Sequence, residues 1–162
     1  MDDWFHELGD QRPGLRQLLV LTDAYVMLTS CAILLIAALV QRRWRLAAMT
    51  AVTPVLGVLL ARLCKQLFGR TRDGAVAYPS GHTTLATVVI ALAVLTIGVT
   101  AWTVVIATVA LILAVFGQAV SYHYFTDTIG ALFLGSAVVC AAITVARLDR
   151  CQPGGDVDHT AR

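Results

Sequence analysis

Five long apolar stretches, separated by short polar or glycine-containing segments, dominate the chain: residues 20–40, 46–68, 82–99, 102–121 and 128–147. Each is close to the roughly 20 helical residues needed to cross a hydrocarbon core. No stretch alternates apolar and polar positions with the period of two that marks a half-buried strand, and in lipid a helix satisfies its own backbone groups. The pattern predicts an all-α fold, a polytopic membrane helix bundle with about five transmembrane helices. It also divides the chain into an N-terminal interfacial segment (1–19), a transmembrane domain (20–147) and a tail (148–162) with the composition of a disordered end. The first sixteen residues are mixed in charge and the first apolar run is too long for a leader, so no signal peptide is expected.

Composition agrees with the pattern. Hydrophobic residues make up 58% of the chain and charged residues only 14%, against about 25% charged in ordinary soluble domains. The four cysteines, Cys31, Cys64, Cys140 and Cys151, show no paired spacing and read as small buried hydrophobes rather than metal ligands or disulfide partners. A net charge of +2 singles out no partner, and no nucleic-acid motif is present. The lipid bilayer is the expected environment, and nothing points to a cofactor or metal. His6 and His159 read as solvated bystanders.

Charge distribution suggests an orientation. The loop "QRRWR" carries Arg42, Arg43 and Arg45, and the end of the last span adds Arg147 and Arg150, so that face is the better candidate for the cytoplasm. The opposite face receives the N-terminal segment, in which Asp2, Asp3, Glu7 and Asp10 outnumber Arg12 and Arg16. It also receives Lys65, Arg70 and Arg72, which nearly equalise the cation count unless those three serve another purpose.

Such a purpose is chemical. Tracing five spans brings the end of the second, the start of the third and the junction of the fourth and fifth to one face. These places read "KQLFGRTR" (65–72), "PSGH" (79–82) and "HYFTD" (123–127). Cations, a helix N-terminus and two histidines in one locality describe an anion site, most economically one for phosphate. Pro79, Ser80 and Gly81 suit a tight turn into a helix whose first amides lack intrahelical acceptors, and such an end binds phosphate. Lys65 and Arg72 would neutralise phosphate oxygens. His123 and Asp127 lie four apart, so the carboxylate can fix the imidazole's tautomer and make it a nucleophile, with His82 as proton donor.

Each part also has a plain structural reading. A lone cation at a membrane boundary is usually a snorkelling anchor, Ser80 a helix cap, and a His four before an Asp an incidental surface pair. Asp23, near the start of the first span, is a functional suspect as an intramembrane acid, or else a cap or a partner to Arg62. What the plain readings must explain is the arrival of all three motifs on one face.

In these motifs the chain resembles the phosphatidic acid phosphatase type 2 and vanadium haloperoxidase superfamily. That signature runs Lys, six residues, Arg-Pro; then Pro-Ser-Gly-His; then Ser-Arg, five residues, His, three residues, Asp. The chain has Lys65 and Arg72 at that spacing, all of Pro79 to His82, and His123 with Asp127. The resemblance covers residues 65 to 127 in motif terms and the helical pattern through about 147. It implies that His123 attacks phosphorus to give a phosphohistidine, Asp127 orients it, and His82 protonates the leaving group and then activates water. Lys65, Arg72, Ser80 and the Gly81 amide would hold the equatorial oxygens, and no metal is required. The implied substrate is a membrane lipid phosphate, with its tail in the bilayer.

The chain also departs from the signature. Asp73 replaces the proline, and the third arginine falls at Gly117, leaving Arg70 or Arg62 as substitutes for the missing cation. The family also commonly has six spans. Two functions follow as expectations. One is a metal-independent lipid phosphate phosphatase of the cell membrane, with its site on the extracytoplasmic face, acting on a phosphomonoester or diphosphate. Its substrate would be a polyprenyl-linked phosphate or a phospholipid precursor. One lysine against eleven arginines points to a GC-rich bacterial genome, in which a decaprenyl-phosphoryl-pentose phosphate is a plausible cell-wall substrate. The alternative is a catalytically degenerate relative that binds an anionic lipid or a membrane partner.

Overall fold

The computed structural model of the chain describes residues 13–69, 71–72, 75–76, 78–120 and 124–146. The expected tail (148–162) and the first twelve residues lie outside them. Among the described residues, five α-helices form an antiparallel bundle: α1 (Ala24–Val40), α2 (Trp44–Phe68), α3 (Gly81–Ile97), α4 (Ala101–Ala119) and α5 (Phe125–Ala146). Three of them, α2, α4 and α5, are long and apolar enough to cross a membrane. The other two, α1 and α3, are apolar helices of 17 residues, about 25 Å each at 1.5 Å per residue. The all-α membrane bundle expected from the hydrophobic pattern is the observed architecture.

Capping residues set the boundaries. Asp23 Oδ1 accepts from the amides of Tyr25 (2.9 Å) and Val26 (3.2 Å), so this acid opens α1 as an N-cap. The first span therefore starts at Ala24 rather than at residue 20. The preceding residues Pro13–Thr22 form a separate 3-10 helix, which packs chiefly against α4. Gly69 ends α2 in the left-handed conformation at φ 59°, with its amide on the Lys65 carbonyl. Thr100 and Thr103 cap α4 reciprocally, each accepting from the other's amide. The loop from α2 to α3 holds a two-stranded hairpin that the pattern did not predict, β1 (Thr71–Arg72) against β2 (Ala75–Val76).

The bundle is built around α3. Met49 of α2, Val88 and Leu92 of α3 and Val139 of α5 form one buried cluster, and Met27 of α1 joins Ala86 and Val89 in a second. Between α3 and α5 the contact is made by small residues. A Cβ added at Gly135 would lie 2.8 Å from Thr87 Cβ and 3.1 Å from the Thr84 carbonyl oxygen. Among the buried threonines, Thr87 donates to the Thr83 carbonyl (2.8 Å) and Thr96 to the Leu92 carbonyl (2.8 Å), so these two hydroxyls need no neighbouring helix. Large aliphatic side chains such as Ile36, Val105, Ile112 and Val145 point outward instead. This is how helices pack in lipid, where close backbone approach replaces the burial of large apolar side chains.

Helix direction alternates, so the chain has two ends. At one end Arg43 Nη1 donates to the carbonyls of Leu95 (2.9 Å) and Thr96 (3.3 Å), placing a cation on the C-terminus of α3. At the other end are the starts of α1, α3 and α5 and the ends of α2 and α4.

Candidate functional site

The described parts of the three motif segments come together at that second end. The Ser80 amide donates to the main-chain carbonyl of Asp127 at 3.3 Å, which joins the turn before α3 directly to the first turn of α5. Tyr78 extends the junction in two directions. Its ring stands edge-on to Phe68 in the last turn of α2, with centroids 5.1 Å apart and planes at 89°. On its other side it lies across Gly130 of α5, where any Cβ would overlap the ring and hydroxyl. The peptide between Tyr78 and Pro79 is cis. Lys65 is one turn before Phe68 and half-buried, so the end of α2 enters the junction through its aromatic residue and carries its cation beside it.

Ser80 is the N-cap of α3. Its Oγ accepts from the Thr83 amide (3.4 Å) and from the Thr83 hydroxyl (3.1 Å), and its carbonyl receives both the amide and the hydroxyl of Thr84. The side chain has no exposed surface, so capping is its visible role. Gly81 and His82 are the first two residues of α3, and they differ from Ser80 in being open. A Cβ at Gly81 would meet nothing within 4 Å, and the His82 side chain is exposed. An anion placed here would face the first amides of a helix and one imidazole, the arrangement that favours phosphate.

Asp127 is 0% exposed in the first turn of α5. A carboxylate at a helix N-terminus lies at the favourable end of the dipole, which helps offset the cost of its burial. Its main-chain amide donates to the Tyr124 carbonyl at 2.9 Å. Arg72 belongs to β1. Arg70 and His123, expected as a phosphate ligand and as the nucleophile, lie outside the described residues. The structure thus brings together Ser80, Gly81, His82 and Asp127, with Lys65 on the adjoining helix end.

Gly117, where the resemblance places an arginine, is closely packed. The 3-10 helix packs there, and a Cβ on Gly117 would come within 2.8 Å of Leu18 Cβ and 3.1 Å of the Leu18 carbonyl carbon. The neighbouring Gln118 is buried and donates from Nε2 to Thr22 Oγ1 at 2.6 Å, fastening the same two elements. An arginine at 117 would have to displace the 3-10 helix. Asp23 likewise resolves as the α1 cap described above.

Sequence reasoning missed Tyr78, Gly130 and the Thr22–Gln118 bond. The only available signal was position: Tyr78 directly precedes "PSGH", and Gly130 is three residues after Asp127. Comparison of the chain with family models, with curated proteins and with solved structures finds no match. The resemblance to the phosphatase superfamily therefore rests on the motif residues alone.

Proposed function

We propose that the chain is a metal-independent lipid phosphate phosphatase of the cell membrane, with its site on the extracytoplasmic face. In this reading His123 attacks phosphorus, the bond from phosphorus to the lipid oxygen breaks, and His82 supplies the proton that the leaving oxygen takes up. Water, deprotonated by His82, then attacks the phosphohistidine and releases inorganic phosphate. Asp127 orients His123, and Lys65, Arg72, Arg70 and the Gly81 amide face the phosphoryl oxygens, where charge stabilisation counts most. Ser80 contributes by capping the helix that presents Gly81 and His82. The proposed substrate is a polyprenyl-linked phosphate, including a decaprenyl-phosphoryl-pentose phosphate, or a phospholipid precursor.

The observation that carries this reading is the 3.3 Å hydrogen bond from Ser80 to Asp127. It makes neighbours of two motifs separated by more than forty residues of sequence, as one active site would require. The test is phosphate release by the purified chain from a panel of lipid phosphates, with and without a chelator. Turnover that survives the chelator and is lost in His123→Ala supports the proposal. Turnover that stops with the chelator and returns with magnesium overturns it.

Leu18 seated against Gly117 favours a second reading, a degenerate relative that binds an anionic lipid or a membrane partner. It predicts no release from any member of the panel, together with lipid phosphate binding that weakens in Lys65→Gln.

A further inference from the structure

The flank of the bundle beneath the motif end carries a feature that the proposed mechanism does not use. Between α2 and α5 runs a cleft of about 820 Å³, lined by Val52, Leu56 and Leu60 on one side and by Leu134, Ala141 and Val145 on the other, among other residues. Apart from Thr53 and, at its far end, Arg45, its lining is apolar. Alanines on α5 keep it open, since they fill little of the space that leucines would occupy. Ala141 and Val145 are exposed, so the cleft opens sideways, where lipid would lie.

This cleft continues the site. Asp127, Leu134, Val138 and Ala141 stand at i, i+7, i+11 and i+14, so the row of α5 that begins at the motif acid runs on down the cleft. Above the cleft Tyr78 joins the same two helices, edge-on to Phe68 of α2 and across Gly130 of α5, one turn before Leu134. Depth then decides what kind of chain could follow this path. Ala141 lies about 21 Å along α5 from Asp127, and Val145 about 27 Å, at 1.5 Å per residue. One leaflet supplies half of the hydrocarbon core, roughly 15 Å. An acyl chain whose headgroup is held at the motif end therefore stops short of Ala141, and only a chain longer than a leaflet reaches the lower part of the cleft.

We propose that the cleft holds the tail of the substrate, and that this tail is a polyprenyl chain rather than the acyl chains of a phospholipid precursor; the inference rests on the proposed function. With its phosphate at Gly81 and His82, the substrate passes its chain by Tyr78 and lays it between Leu60 and Leu134. The alanines suit such a chain, because each isoprene unit carries a methyl branch and needs a wider path than a straight acyl chain. A helix from a second copy would suit the apolar lining but would leave the alignment of the cleft with Asp127 without a reason.

Phosphate release by the purified chain, measured in one detergent with farnesyl phosphate, decaprenyl phosphate and phosphatidic acid, tests this. Decaprenyl phosphate should exceed farnesyl phosphate in kcat/KM by about tenfold or more, the gain from burying a few further methylenes, with phosphatidic acid near the farnesyl value. Ala141→Trp fills the cleft beyond the reach of the shorter tails and should cut that preference to about twofold. Ile112→Trp, on the outward face of α4, should keep it, and circular dichroism checks the helical content of both variants. Equal kcat/KM for the three lipids, or a preference that persists in Ala141→Trp, overturns the tail assignment and leaves the phosphatase standing. No release from any of the three overturns both. A dimer that Ala141→Trp dissociates, with the preference unchanged, would assign the cleft to a second copy instead.

Discussion

Asp127 shows what a single residue contributes when its surroundings are dry. With no exposed surface in the first turn of α5, it has a fixed position that a surface carboxylate would lack. Asp127→Asn keeps the shape and removes the charge. In the proposed mechanism it should reduce lipid phosphate turnover by about a hundredfold or more, because the imidazole loses the group that holds its tautomer and stabilises its charge. Phosphate release measured beside an unchanged circular dichroism spectrum checks this, and full turnover in Asp127→Asn would remove Asp127 from the mechanism. Gly117 makes the opposite point, being constrained by a neighbour's backbone. Gly117→Ala should destabilise the chain by about 1 to 3 kcal/mol, the usual cost of overpacking, seen as a lower melting temperature in detergent. Adding Leu18→Ala should recover little, because the Leu18 carbonyl carbon and oxygen remain at 3.1 and 3.3 Å from the new methyl group.

Elements were legible in the sequence wherever length and apolarity decide them. The five helices lie within or close to the apolar runs, since a membrane helix needs only an uninterrupted stretch and a satisfied backbone. What could not be read was set by contacts between elements. "GLRQLLVL" continues the apolar run of the first span, yet Asp23 caps α1 behind it and Gly117 and Gln118 hold the preceding 3-10 helix against α4. The convergence of the motifs on one end followed from counting spans, whereas the Tyr78 ring between Phe68 and Gly130 depends on packing that no spacing encodes. Two element-level predictions follow from such contacts. Gly135→Val should force α3 and α5 apart at Thr87, at about 1 to 3 kcal/mol, measured as thermal stability in detergent. Arg43→Ala should leave the bundle folded but release the C-terminus of α3, so that hydrogen exchange quickens at the last amides before Gly98 and not at those following Ser80.

At the scale of the whole molecule, the alternation of five helices makes sidedness a single unknown that fixes every loop at once. Gln41 and Val99 are exposed at the end where Arg43 binds α3, and Gln17 and Gln66 are exposed near the motif end. The arginines at 42, 43 and 45 favour the cytoplasm for the first pair. In the proposed function, a substrate with its headgroup outside the cell then reaches His82. These assignments can be tested together by thiol labelling in a background with Cys31, Cys64, Cys140 and Cys151 replaced by alanine. A membrane-impermeant reagent on intact cells should modify cysteines placed at Gln17 and Gln66 and spare those at Gln41 and Val99. The reverse pattern would turn the molecule over, carrying the motif site to the cytoplasm. Unlike labelling within either pair would contradict the antiparallel order itself, because no orientation of five alternating spans can separate Gln41 from Val99.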